Sequence, residues 1–223
     1  MIELLIPNGQ LLSNKNNTLG IWISGGVDSS LLCYLLAKKI KSNNLPFKLQ
    51  PVSIPKRSTD TCHLDVINFI KKELDCNDIF NDPIIYETDA STYDTSFQKV
   101  NEENILKGKY KYIYTGINQT PDFEAYNNAW PKHDDLDRTR SEEADKLLIF
   151  SAVIVHDGEL IEFGEIRPFF NLNKKQIAEL YKQHNLLDTL FPLTVSCNTL
   201  HYTNGNCGEC WFCKERIWGF GKL

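Results

Sequence analysis

The sequence predicts an α/β fold on a mostly parallel sheet, closed by a small metal-binding lobe at the C-terminal end. Three observations carry this. Strand-like and helix-like segments alternate through the first half of the chain. One strand-to-helix turn, residues 24–30, is SGGVDSS. Four of the seven cysteines stand at or beyond position 197.

Residues 18–24 (TLGIWIS) form an apolar run of strand length. After the Gly-rich turn, residues 30–41 (SLLCYLLAKKIK) put Leu31, Leu32, Leu35, Leu36 and Ile40 on one helical face, with lysines at the C-terminal end. KLQPVSI is a second strand, weakened as a reading by its proline. A helix over 60–74 opens at Asp60 or Thr61 and holds Leu64, Ile67, Ile70 and Leu74 in phase. PIIYET (83–88) and YKYIYTGI (110–117) are strands. Residues 121–146, with Pro121, Pro131 and the run KHDDLDRTRSEEADK, read as a solvated loop and a first helical turn. Beyond them, two apolar stretches flank Asp157-Gly158, a hairpin signal. In a parallel sheet such a hairpin is an insertion or an edge addition. Asn173 caps a further helix, with Ile177, Leu180 and Tyr181 in phase. The expected division is a main domain over 1–190, with an inserted segment at about 127–165, and a lobe over 191–223.

Composition excludes several classes. With 42% hydrophobic and 24% charged residues, the chain is neither a disordered tail, nor a fibre, nor a disulfide-stapled miniprotein. Lys+Arg 24 against Asp+Glu 29 gives a net charge of -5, which speaks against a broad basic surface for RNA, so tRNA binding is not expected. Lys107, Lys109 and Lys111, interleaved with Tyr110 and Tyr112, read as a solvated strand edge. No stretch approaches the ~18 apolar residues of a membrane span. MIELLIPNGQ lacks a secretory pattern. A cytoplasmic location is therefore expected, where cysteines serve as thiols or metal ligands.

The turn is a candidate anion site. Gly25 and Gly26 allow a tight turn and close backbone approach. The N–H groups and dipole of the following helix favour phosphate. Ser24, Ser29 and Ser30 add hydroxyls, and Asp28 either orients the loop or holds magnesium. The turn has neither the lysine of a Walker loop nor the spacing of a dinucleotide fingerprint. In the tail, Cys197 precedes two overlapping CxxC pairs formed by Cys207, Cys210 and Cys213. Four thiols at this spacing suit a closed tetrahedral zinc site. An iron–sulfur cluster and redox-active CxxC chemistry are alternatives. His201 reads as a loop residue, and Cys33, on the apolar helix face, as core.

SGGVDSS resembles the SGGxDS signature of the PP-loop ATP pyrophosphatase family. That resemblance implies a doubly wound, five-stranded parallel sheet of adenine nucleotide α-hydrolase type. It also implies cleavage of ATP between the α and β phosphates, with the nucleotide at the carboxyl ends of the strands. With the tail CGECWFCKER and its closing GF, the chain resembles the 7-cyano-7-deazaguanine synthase family. The resemblance assigns Ser24, Gly25, Gly26, Val27, Asp28, Ser29 and Ser30 to ATP and magnesium, with Ser24 and Asp28 catalytic. It assigns Cys197, Cys207, Cys210 and Cys213 to structural zinc. Phe169, Asn173, Lys174 and Ile177 match a P-[FL]-x-x-x-[ST]K-x-x-I stretch. Gly116, Asn118 and Asp122 match a segment near the substrate. The chain departs from the family where VSIPKRSTDTCH replaces a Tyr-Gly-Gln segment, where a Val-Pro-x-Arg-Asn stretch is absent, and over 127–165.

The implied activity is a ligase that adenylates 7-carboxy-7-deazaguanine and converts it with ammonia to the nitrile. A homodimer is a possible assembly. The alternatives are a PP-loop enzyme that thiolates or amidates tRNA, an adenylating enzyme for another carboxylate, and a non-enzymatic nucleotide- or zinc-binding interaction protein.

Overall fold

The computed structural model of the protein describes residues 17–55, 61–86, 93–119, 149–156, 158–197 and 205–223. Asp122, His201 and the acidic run at 133–145 lie outside them. Six strands form one sheet: β1 (Thr18–Trp22), β2 (Lys48–Ser53), β3 (Ile84–Ile85), β4 (Tyr112–Tyr114), β5 (Ile149–His156) and β6 (Glu159–Ile166), in the order β3-β2-β1-β4-β6-β5. Five of them are parallel, and β5 alone runs antiparallel, against β6. The chain therefore winds outward from β1 in one direction and from β4 in the other, as the doubly wound reading requires. The two strands of the expected hairpin pair across residues 157–158, with His156 opposite Glu159. β6 thus completes the parallel set and β5 is an addition at its edge.

Strand alternation divides the core. Leu19, Ile21, Ile23, Leu49, Tyr112, Tyr114 and Ile166 face one side. There they meet α1 (Val27–Ser42), α2 (Cys62–Glu73) and α4 (Lys174–Gln183). Trp22, Val52 and Ile113 face the other side, where Val100 and Ile105 of α3 (Tyr93–Leu106) cover them. The last helix, α5 (Trp211–Phe220), joins the first core through Phe220, which lies 5.3 Å from the Tyr181 ring and 4.5 Å from that of Phe191. No helix among the described residues is long and apolar enough to cross a membrane.

Several elements differ from the sequence reading. Pro51 stands inside β2, between β1 and β3, and not at a sheet edge. The carbonyls of Leu49 and Ser53 accept from Asn81 and Tyr86 on the β3 side. Pro51 shares their phase, so its missing N–H faces β3, which pairs only with Val52 and Ser53. The strands expected over 83–88 and 110–117 shorten to Ile84–Ile85 and Tyr112–Tyr114. β4 is interior, so the lysine and tyrosine segment is not a sheet edge. Tyr110 and Tyr112 are buried while Lys107 and Lys109 occupy the exposed approach to the strand. The sequence reading also did not anticipate α3.

α4 begins with a complete capping box. The Asn173 side chain accepts from the backbone N–H groups of Lys175 and Gln176, and Gln176 Oε1 accepts from Asn173 N at 2.9 Å. Replacing Asn173 with Ala should lower stability by about 1 kcal/mol. In a thermal melt this would read as a drop of about 2–4 °C for a chain of this size.

Candidate nucleotide site and cysteine centre

The strand order reverses between the parallel neighbours β1 and β4, and the crevice beyond the carboxyl ends at such a point is where open α/β sheets take ligands. Residues 24–30 leave β1 at this point. Gly25 adopts φ 79°, a left-handed conformation that suits glycine, and a Cβ there would run into Cys62 Sγ. Inside the turn, Ser29 Oγ accepts from Ser24 N at 3.2 Å and donates to the Gly26 carbonyl at 3.3 Å. Ser24 Oγ accepts from Gly26 N at 3.3 Å. Gly26 is the N-cap of α1, and no side chain caps that helix. The first turn of this 16-residue helix therefore carries no side-chain cap, the arrangement that leaves N–H groups for an anion.

Gly116 closes the crevice from the β4 side. A Cβ on it would lie 2.7 Å from Ser29 N and 2.9 Å from the Asp28 carbonyl carbon, so only glycine allows this approach. Asn118, two residues on, is buried. Thr115 N donates to the Ile166 carbonyl, which holds β6 beside the same corner. There Arg167 makes a two-pronged pair with Glu165, at 2.8 and 3.0 Å, and Thr115 Oγ1 donates to Glu165 at 2.9 Å.

The turn is braced from the C-terminal half of the chain. Lys174 Nζ pairs with Asp28 Oδ2 at 2.5 Å and with Glu215 Oε2 at 3.3 Å, its side chain only 4% exposed. Asp28 Oδ1 is buried and has no hydrogen-bond partner among the described residues. Tyr181 Oη donates to the Val27 carbonyl at 2.8 Å, and burial drives its phenol far above the ordinary range. Val195 N donates to the Gly25 carbonyl at 2.9 Å. Arg216, 1% exposed, fixes the segment that carries Val195. Its guanidinium donates to Thr194 Oγ1 at 2.7 Å, Ser196 Oγ at 3.3 Å and the Phe191 carbonyl at 3.1 Å. Burial pushes its pKa down to about 10, so it stays charged at neutral pH.

The four tail cysteines converge. The Sγ atoms of Cys197, Cys207, Cys210 and Cys213 all lie within 4.8 Å of one another. The Cys207–Cys213 and Cys210–Cys197 pairs are 3.9 and 4.0 Å apart. A tetrahedral ion with metal–sulfur bonds of ~2.3 Å spaces its ligands by roughly 3.8 Å. The backbone N–H groups of Glu209 and Cys210 donate to Cys207 Sγ at 3.4 and 3.3 Å, which favours a thiolate there. The donor set therefore fits a single closed ion. A four-iron cluster bonds each thiolate to a different iron and needs them further apart. Cys33 is different in kind: it is fully buried, and burial raises its thiol pKa, which leaves it inert.

Glu215 is not among the residues that the sequence picks out; Arg216 enters only as the last residue of the CGECWFCKER tail and Lys174 only as part of a matching stretch. One signal was available for Lys174. A lysine pair opening a helix, with no acid in its first turn, opposes the helix dipole. Nothing in WFCKERIWGF distinguishes a buried Glu215 from a solvated one.

The family described as queuosine biosynthesis protein QueC matches residues 107–223, just over half the chain. The match spans 127–165, which the sequence reading set apart, and begins well after the Gly-rich turn. No curated protein matches the chain. Among solved structures, Candida glabrata FMN adenylyltransferase in complex with FMN and the ATP analogue AMPCPP is 17% identical, with a TM-score of 0.44 over 77% of this chain and 50% of that one. The U34-tRNA thiolase NcsA from Methanococcus maripaludis, with its [4Fe-4S] cluster, is 14% identical, with a TM-score of 0.45 over 79% and 59%. This chain thus spans between half and three-fifths of those two proteins.

Two substitutions separate the two centres. Gly116→Ala should push the first turn of α1 aside and weaken binding of magnesium-ATP at least tenfold while metal content stays the same, as read by calorimetry and elemental analysis. Cys210→Ser should remove one of four ligands and lower both bound metal and solubility. Full metal content in that variant would contradict a four-cysteine site.

Proposed function

The chain belongs to the QueC family of queuosine biosynthesis proteins, and on that premise we propose that it is an ATP-dependent ligase that turns the carboxylate of 7-carboxy-7-deazaguanine into the nitrile of 7-cyano-7-deazaguanine. The observation that carries this reading is the uncapped start of α1 at the switch point, with Lys174 from the family-matched half paired to Asp28 inside it.

A carboxylate oxygen is a poor leaving group. Transfer of AMP from ATP to that oxygen releases pyrophosphate and leaves an acyl adenylate, from which ammonia displaces AMP to give the amide. A second ATP adenylates the amide oxygen. Loss of AMP and a proton then forms the carbon–nitrogen triple bond. No side-chain nucleophile is needed, in keeping with the inert Cys33.

The chain contributes position and charge. The first-turn N–H groups of α1 and the hydroxyls of Ser24, Ser29 and Ser30 receive phosphate oxygens. Lys174 balances the charge that builds on the departing pyrophosphate. Asp28, through Oδ1, is the residue that would hold magnesium, which offsets phosphate charge when bound. Gly116 and Asn118, and Asp122 by resemblance, flank the deazapurine. Cys197, Cys207, Cys210 and Cys213 would hold zinc. With all four positions filled by protein, that ion has a structural role.

The test is release of AMP and pyrophosphate from magnesium-ATP and ammonium, with and without 7-carboxy-7-deazaguanine, with the base followed by mass. Acid-dependent AMP and a nitrile product are expected. A silent acid would sink this substrate and move the search to tRNA or other carboxylates. Asp28→Asn should cut AMP formation by at least a hundredfold with the fold and metal content intact.

A further inference from the structure

We propose that Glu215 is a positioning residue: it holds the Lys174 ammonium at the turn of residues 24–30 and so makes the cysteine-bearing helix α5 part of nucleotide binding. This rests on the reading of that turn as the ATP site.

Lys174 is poorly placed for a cation. It opens α4, where the helix dipole disfavours positive charge, and its side chain is almost fully buried. Asp28 is one counter-charge. Yet Asp28 is also the carboxylate that a magnesium-bound nucleotide would draw on. Magnesium at Oδ1 would draw on the same carboxylate's charge, and a second carboxylate beside the buried ammonium then keeps it at the turn. Glu215, 3.3 Å away with its side chain 2% exposed, is that second carboxylate.

α5 also grips the stem of Lys174. Gly219 lies one helical turn beyond Glu215. A Cβ on Gly219 would sit 2.8 Å from Lys174 Cβ and 2.9 Å from its carbonyl carbon. Head and stem are thus both fixed by one helix, whose N-cap is Cys210 and whose first turn holds Cys213. Stability does not call for a glutamate here. A buried ion pair seldom outperforms well-packed apolar side chains of similar volume.

The experiment measures binding of magnesium α,β-methylene-ATP to the full-length protein by calorimetry, with metal content by elemental analysis and folding by circular dichroism. The variants are Glu215→Gln, Glu215→Leu, Lys174→Met, and Lys174→Met combined with Glu215→Gln. Glu215→Gln, which keeps the size of the side chain, should keep metal and fold while Kd rises about tenfold. Glu215→Leu should weaken binding at least as much. In the Lys174→Met background the Glu215→Gln change should add nothing, because its effect passes through Lys174. Wild-type affinity in Glu215→Gln would overturn the proposal, as would an undiminished effect of that change in the Lys174→Met background. The readout needs no acid substrate. A protein that binds the analogue with these dependences but never turns over the deazapurine acid would sink the ligase reading alone.

Discussion

A buried ammonium shared by two carboxylates ties this structure together. Lys174 joins the Gly-rich turn, through Asp28, to the terminal helix, through Glu215. Arg216, the next residue on that helix, anchors the strand-like segment at 194–196. That segment in turn bonds the Gly25 carbonyl. Lys174, Glu215 and Arg216 are thereby withdrawn from water, with Asp28 partly so. Each carries a desolvation cost that pairing only offsets, so such a group adds little to stability. What it does provide is direction. A glycine-rich turn has many conformations open to it, and charged struts from fixed helices select one.

The sheet supplies the corner in which those struts meet. β1 is buried along its whole length and pairs with β2 on one side and β4 on the other, so its carboxyl end opens at the centre of the molecule. The close approach of Gly116 to Ser29 and Asp28 leaves no space between the two strand ends for a side chain. The anion-receiving face of α1 is therefore open only outward, toward the crevice. The sheet explains where the turn lies, and the charge cluster explains why it keeps its shape.

Much of this was legible from residue order. The five apolar residues of the first helix, the Asp157-Gly158 turn and the Asn173 cap are local signals, and each produced the element it announces. The Gly-rich turn and the spaced cysteines were legible because their chemistry needs particular residues at particular separations. Two kinds of feature were not. β3 and β4 are two and three residues long, and their extents depend on what neighbouring strands offer rather than on propensity. The burial of Glu215 and Arg216 depends on packing against α4 and the 191–196 segment, and a helix that looks half polar in sequence does not reveal which polar side chains turn inward.

The spacing of these contacts along the chain has a consequence of its own. The bonds that brace the turn join residues 146 and 154 positions apart, from Asp28 to Lys174 and from Val27 to Tyr181. Closing contacts of such separation costs loop entropy that a local turn does not bear. The turn itself is local to β1 and α1, but its braces come from α4 and from Val195. The family match follows the same division. It begins at residue 107, past the turn, and takes in Lys174, Tyr181, Val195, Glu215, Arg216 and all four clustered cysteines. The part of the chain recognisable by family is thus the part that braces the turn.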